Sequence, residues 1–344
     1  MALNSGTHLL TIDKRLPPEI MSEIFILCTP VTRRNLDDFG FEWYISTPSP
    51  LSLTWVCRSW RSIAQSTPAL WTSLRIYIPY RNIPQCIQVI REWISRSGQL
   101  PLSIQVHRNP VVPFNWLDPL VDDLFNLVRS CSHRWESLEI TLEAELLPRF
   151  CDSISGPSIL KTLILVPPRG YAGGFRKPFN TGASFSSPIY VSISSSTVWP
   201  LGICWDNVTH FAARRMDAGQ ALEIFRLAPR LQEFTLSGLW RANDGDLPSS
   251  PVLHTRLETL HVYLTLHSVS HQIMENITLP SLKHLNCMGH QLSAGSIINF
   301  LDRSGCSLET FSLRDVGIDE GDIIHLLCAM PHLETLTLGF TIYY

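Results

Sequence analysis

The chain has 344 residues, of which 45% are hydrophobic and 17% charged, and its formal net charge is -3. This is enough apolar material for a sizeable core in about two domains, and the charge excludes the strongly basic surface that nucleic acid or an acidic membrane selects. Its nine cysteines are odd in number and scattered, with no C-x-x-C pair, which fits free thiols rather than a disulfide framework or a zinc cluster.

The opening residues, Met1 to Asp13, lack a cationic stretch followed by an apolar run, and no segment approaches the roughly eighteen apolar residues of a membrane span. A cytoplasmic or nuclear address is therefore expected, and the N-x-T sequons at Asn207 and Asn276 read as chance matches.

The first predicted helix starts at Pro17-Pro18, where a first-turn residue needs no amide hydrogen, and Glu19 and Glu23 favour that end of the dipole. Ile20, Ile24 and Leu27 recur at helical spacing, and Met21, Phe25 and Cys28 widen the stripe beyond what one small core needs. Part of it should face a partner. Residues 29–50, with Pro30, Gly40, Pro48 and Pro50, read as a loop. A second helical stretch over 51–64 puts Leu53, Val56, Cys57, Trp60, Ile63 and Ala64 on its apolar face, and Pro68-Ala69-Leu70-Trp71 leads into an alternating strand at Leu74–Ile78.

Three ordered signatures stand in this region: Leu16-Pro17-Pro18-Glu19-Ile20, Val56-Cys57-Arg58-Ser59-Trp60-Arg61 and Pro68-Ala69-Leu70-Trp71. Together they resemble the F-box, the helical module that docks on the Skp-type adaptor of cullin–RING ubiquitin ligases, as found in large fungal F-box families. The resemblance covers about residues 16–71, and the loop at 29–50 departs from the compact form. It implies an F-box over 12–71 and adaptor contacts at Leu16, Pro17, Ile20, Ile24, Phe25, Val56, Cys57 and Trp60.

Beyond it, the string L-x-x-L-x-L, with substitutions, begins at Trp135, Leu160, Val208, Leu231, Leu257, Leu282, Leu308 and Leu333, with starts 25, 48, 23, 26, 25, 26 and 25 residues apart. The gap of 48 is near two periods and holds a degenerate unit at Ile189–Ile193. This period and motif are the leucine-rich-repeat signature, in which each unit buries its apolar face only against its neighbours. Strand-like units at Trp71-x-x-Leu74-x-Ile76 and Pro101-x-x-Ile104-x-Val106 come earlier, with a helix over 83–97 between them. Return helices are expected at Ala218–Leu227 and Asp319–Met330, each stopped before a proline. Residues 167–202, rich in Pro, Gly and Ser, read as a long loop. The sequence ends at Tyr344 directly after a repeat strand, so a truncated chain or a partner over that strand is expected.

The expected fold is therefore α/β: a small helical F-box, then a leucine-rich-repeat solenoid over 72–344, irregular at 72–134, with parallel strands on its concave face and helices or irregular returns on its convex face. Alternation within the strands puts His210, Arg214, Glu233, Thr235, Thr259, His261, Tyr263, His284, Asn286, Met288, Thr310, Ser312 and Arg314 on the concave face. That column is the candidate target-binding surface; Tyr and Arg are common anchors of protein interfaces. His267 and His271 stand at i, i+4 but have no acidic or cysteine partner in metal-site spacing. Nucleophile and phosphate-loop motifs are absent, and Asp122-Asp123 diverge on a helix rather than flanking a bond.

No catalytic residue, metal or cofactor is expected. The expected role is a non-catalytic substrate receptor that joins a Skp-type adaptor, and through it a cullin–RING ligase, to an unknown target protein. Neither nucleic acid nor a membrane is an expected partner. An F-box interaction scaffold outside any ligase is the alternative.

Overall fold

The computed structural model describes residues 16–29, 49–79, 81–108, 118–142, 146–151, 159–166, 188–194, 202–238, 247, 250–263, 270–289, 293–314 and 320–339. Most of the loops expected at 29–50 and 167–202 lies outside these residues, as does the segment after Gly339.

Three short helices come first: α1 (Pro18–Cys28), α2 (Pro50–Val56) and α3 (Arg58–Gln65). Pro17 and Pro18 open α1, and the Thr29 hydroxyl closes it by donating to the Phe25 carbonyl at 2.8 Å. The single helix expected over 51–64 is broken at Cys57, whose extended backbone (φ -158, ψ 174) ends α2 and whose Sγ caps α3 by accepting from the Trp60 amide at 3.4 Å. Arg61 Nε then donates to the Thr54 carbonyl at 2.8 Å and ties the two helices together. A 3₁₀ turn at Pro68–Trp71 delivers the chain to the sheet.

Eleven strands make one parallel sheet in chain order. They are β1 (Ser73–Tyr77), β2 (Leu102–His107), β3 (Trp135–Thr141), β4 (Thr162–Leu165), β5 (Tyr190–Ser194), β6 (His210–Arg214), β7 (Glu233–Ser237), β9 (Thr259–Tyr263), β11 (His284–Met288), β12 (Thr310–Arg314) and β13 (Thr335–Gly339). Between them run α4 (Ile83–Arg96), α5 (Pro119–Arg129), α6 (Leu146–Cys151), α7 (Ala218–Leu227), α8 (Ser270–Glu275), α9 (Ala294–Ser304) and α10 (Glu320–Cys328). The short strands β8 (Val252–Leu253) and β10 (Ile277–Thr278) form a separate parallel pair. The molecule is thus mixed α/β, with every sheet strand beside its predecessor.

The register carries the sequence period into space. Phe211, Phe234, Leu260, Leu285, Phe311 and Leu336 are aligned neighbours across β6 to β13. Before most of these strands one carbonyl accepts two amides of the next unit. Thr209 takes Gln232 and Glu233, Gln232 takes Glu258 and Thr259, Glu258 takes Lys283 and His284, and Lys283 takes Glu309 and Thr310. The two strand-like units expected within the irregular stretch 72–134 are β1 and β2, in the common register with one shift between Leu102 and Ser103. The degenerate unit expected at Ile189–Ile193, inside the loop expected over 167–202, is β5, where Val191 and Ile193 keep the inward alternation.

The buried side chains form one continuous core from Met21 and Phe25 in α1 to Leu326 in α10 and Met330 beyond it. Within it Phe234 sits 4.8 Å from Phe225 and 5.5 Å from Phe211, both edge-on. The α9 helix shows how local chemistry sets the returns: Ser293 Oγ accepts from the Ser296 amide at 3.1 Å, and Gly305 ends the helix in the left-handed region (φ 58). Ser293→Ala and Gly305→Ala should each lower stability by about 1 kcal/mol in urea titration.

His254 gives the core a pH dependence. It is buried, one ring nitrogen lies 3.1 Å from the Ala228 carbonyl, and Nδ1 accepts from the Leu257 amide at 3.2 Å. Since Nδ1 accepts, the ring is neutral, and Nε2–H donates to Ala228. Burial pushes its pKa below the ordinary 6.5, against the opposing pull of the Ala228 carbonyl. The unfolded chain therefore binds the proton more readily, so this contribution is complete above pH 6.5 and is lost as pH falls below it. The urea midpoint of wild type should drop more than that of His254→Gln between about pH 7.5 and pH 5.5.

Candidate interaction surfaces

The apolar stripe of α1 divides into two faces one position apart. Met21 and Phe25 turn inward, and Phe25, 1% exposed, packs its ring 4.8 Å from that of Trp60. Ile20, Ile24 and Leu27, at i, i+4 and i+7, turn outward, with Leu27 78% exposed. On α2 the break at Cys57 turns Trp55 and Val56 out, 75% and 59% exposed, while Thr54 is buried and bonds its hydroxyl to the Leu51 carbonyl at 2.7 Å. Five large apolar side chains on α1 and α2, two helices that both pack on α3, thus meet water.

The residues expected to touch an adaptor fall into three sets. Pro17, Ile20, Ile24 and Val56 are exposed. Leu16, Cys57 and Trp60 are half-buried; Leu16 and Trp60 pack on the core, and Cys57 caps α3. Phe25 is a correction: it is sealed under Trp60 and offers no contact surface, because the helix turns it about 100° from Ile24. Leu27 and Trp55, which are not in the expected set, are more exposed than Ile20, Ile24 and Val56, which are.

The expected sheet column lies on one face in three cross-strand rows. His210, Glu233, Thr259, His284 and Thr310 make the first. Ala212, Thr235, His261, Asn286 and Ser312 make the second, and Arg214, Ser237, Tyr263, Met288 and Arg314 the third. Arg214 and Arg314 are exposed, Ser312 is buried, and the other expected residues are half-buried. Glu233 bridges the column: its two oxygens lie 3.7 Å from His210 Nε2 and 3.8 Å from His261 Nε2. These separations are longer than hydrogen bonds, so the carboxylate gains only a modest electrostatic benefit.

The same face continues onto the first strands, where the sequence reading named no residue. Arg75 Nε donates to Gln105 Oε1 at 2.6 Å, and Gln105 Nε2 donates to Glu139 Oε2 at 3.1 Å. His107 Nε2 lies 3.8 Å from the other Glu139 oxygen, and both residues are buried. This ladder ties β1, β2 and β3 side by side. The signal was available: these residues stand at alternate positions of the same aligned strands.

A cavity of about 530 Å³ lies along β1 between the start of α2 and α4. Its described lining is chiefly apolar, with Arg75 and Gln85 as its longest polar side chains and no carboxylate or imidazole. Burial raises the Cys86 thiol and pushes Cys287 up to about 12, so both are protonated at neutral pH. Asp122 pairs with Arg149 at 2.7 Å on the surface. Among the described residues no group of three or more His, Cys, Asp or Glu side chains is placed to hold a metal ion. His267 lies outside the described residues, so its spacing to His271 is not placed. No described helix is long and apolar enough to cross a membrane.

No family model matches the chain, and no curated protein matches it.

Proposed function

We propose that the protein is a non-catalytic target receptor: an F-box at residues 16–71 that docks on a Skp-type adaptor, followed by a leucine-rich-repeat solenoid whose concave face holds a target protein for ubiquitin transfer. The observation that carries this reading is the outward apolar face of α1 and α2. Ile20, Ile24, Leu27, Trp55 and Val56 remain in water although a complete core lies beside them. Water tolerates single apolar residues, but five of this size on two helices packed on the same α3 are stabilised by a second apolar surface. The ordered F-box signatures name the kind of surface.

For the sheet, the support is periodicity. Strands about 25 residues apart repeat one inward pattern, with a polar outward face, which is what stacked repeats require. Such a receptor needs no reactive residue of its own. Holding target and charged ubiquitin carrier together raises their effective concentration.

The test is affinity purification of the full tagged chain from cells. The expected result is recovery of a Skp-type adaptor together with a cullin–RING subunit. Adaptor without cullin favours the scaffold outside a ligase, and recovery of neither from folded protein overturns the reading.

A further inference from the structure

The residue following β6 has a left-handed backbone that two equivalent positions give to glycine. Arg215, Gly238 and Gly289 occupy the same position at the ends of β6, β7 and β11, and each donates its amide to the last carbonyl of the next strand in the sheet, at 2.8, 3.0 and 3.0 Å. All three have positive φ, at 55°, 65° and 121°. Glycine adopts this region freely; a side chain with a Cβ is strained there. The fold thus holds an arginine at a left-handed position that the β7 and β11 units give to glycine, whereas Ile78 and Arg108, which make the same bond after β1 and β2, do not have positive φ.

The strained residue extends a cationic row. Arg214 and Arg215 are adjacent and exposed, and Arg314 stands in the row of Arg214 on β12, also exposed. None of the three has an ion-pair partner among the described residues. The neighbouring Asp217 carboxylate is occupied, accepting from the Gln220 amide at 2.8 Å to cap α7. Between the arginines the row carries Ser237, Tyr263 and Met288. At Gly339, the next position beyond Arg314, a Cβ would stand 3.0 Å from Arg314 Cγ, so the missing side chain makes room for the arginine stem.

We propose that this row selects an acidic segment of the target: carboxylate side chains at Arg214–Arg215 and at Arg314, with an apolar residue between them over Tyr263 and Met288. This deepens the reading of the sheet face as the target surface and rests on it. Four strand spacings of about 4.8 Å separate the two arginine positions by roughly 19 Å, which an extended peptide spans in about six residues. Arginine binds carboxylate through paired hydrogen bonds. Charge complementarity favours a peptide over a nucleic acid: the cations are three, Glu233 stands in the same face, and the chain is net acidic.

The experiment is fluorescence anisotropy on the full chain at low salt. The probe is a labelled peptide of about twelve residues with Asp pairs six positions apart around Leu-Phe. Wild type is expected to bind it, and Arg214→Glu with Arg215→Glu to bind about tenfold more weakly, with affinity restored when the peptide carries Lys in place of only the Asp pair that faces positions 214 and 215. Arg215→Gly should bind about threefold more weakly while unfolding at or above the wild-type temperature, since glycine suits that φ. Equal binding by the reversed-charge variant, no binding by wild type, or tighter binding of a single-stranded oligonucleotide overturns the proposal. Proximity labelling separates this failure from that of the parent reading. If Thr235→Arg with Asn286→Arg loses targets that the arginine variants retain, the face still holds a target and only its acidic class is wrong. If neither pair changes the labelled set, the parent reading fails as well.

Discussion

Trp71→Ala is expected to destabilise the protein by about 3–5 kcal/mol. The indole is fully buried where the helical segment meets the sheet. Its Nε1–H donates to the Ala64 carbonyl at the end of α3, at 2.8 Å. The ring packs edge-on against Trp93 of α4 at 4.8 Å, and the Arg96 guanidinium lies 4.8 Å from its centroid. Alanine leaves a cavity among all three and removes the shorter of the Ala64 carbonyl's hydrogen bonds, leaving it the Thr67 amide at 3.4 Å. Trp71→Phe keeps most of the packing but not the donor, so its loss should be about 1–3 kcal/mol. Urea titration with tryptophan fluorescence and circular dichroism measures both, and a Trp71→Ala midpoint equal to wild type would show that the junction is not packed as described.

Ile24→Asp and Trp55→Ala are expected to abolish retention of a Skp-type adaptor while leaving the fold intact. Both side chains face water, so neither change opens a cavity, and the thermal midpoint should stay within a few degrees of wild type. An interface anchor is worth about 2–4 kcal/mol, which weakens a complex roughly 30- to 1000-fold. Phe25→Ala and Trp60→Ala behave differently: each removes one partner of a packed ring pair, so adaptor loss there comes with lowered stability. Retention of the adaptor by folded Ile24→Asp and Trp55→Ala chains would remove these residues from the interface.

The sheet was legible in the sequence because leucines at fixed separation can satisfy their burial only by stacking. Even β5 was legible, since Val191 and Ile193 keep the alternation inside a stretch otherwise composed like a loop. Adjacent apolar residues on α1 were harder. Ile24 and Phe25 differ by one position, and which of them turns inward depends on where α3 presents Trp60, a tertiary fact that no local pattern holds. The break at Cys57 was hidden for a similar reason. Continuous helical spacing over 51–64 puts Val56 inside, whereas the extended cap residue reorients α2, burying Thr54 and turning Trp55 outward. The ladder Arg75–Gln105–Glu139 was legible as well, at the fifth position of the units that begin at Trp71, Pro101 and Trp135, although their spacings of 30 and 34 residues depart from the period.

Hydrogen exchange on the full chain, with and without a Skp-type adaptor, tests most directly whether the outward faces of α1 and α2 are a docking surface. The expected result is slowed amide exchange across residues 18–28 and 50–56 on adding the adaptor, with β6, β9 and β11 unchanged. A stable complex that leaves both helices exchanging as before, or a folded chain that forms no complex, contradicts it.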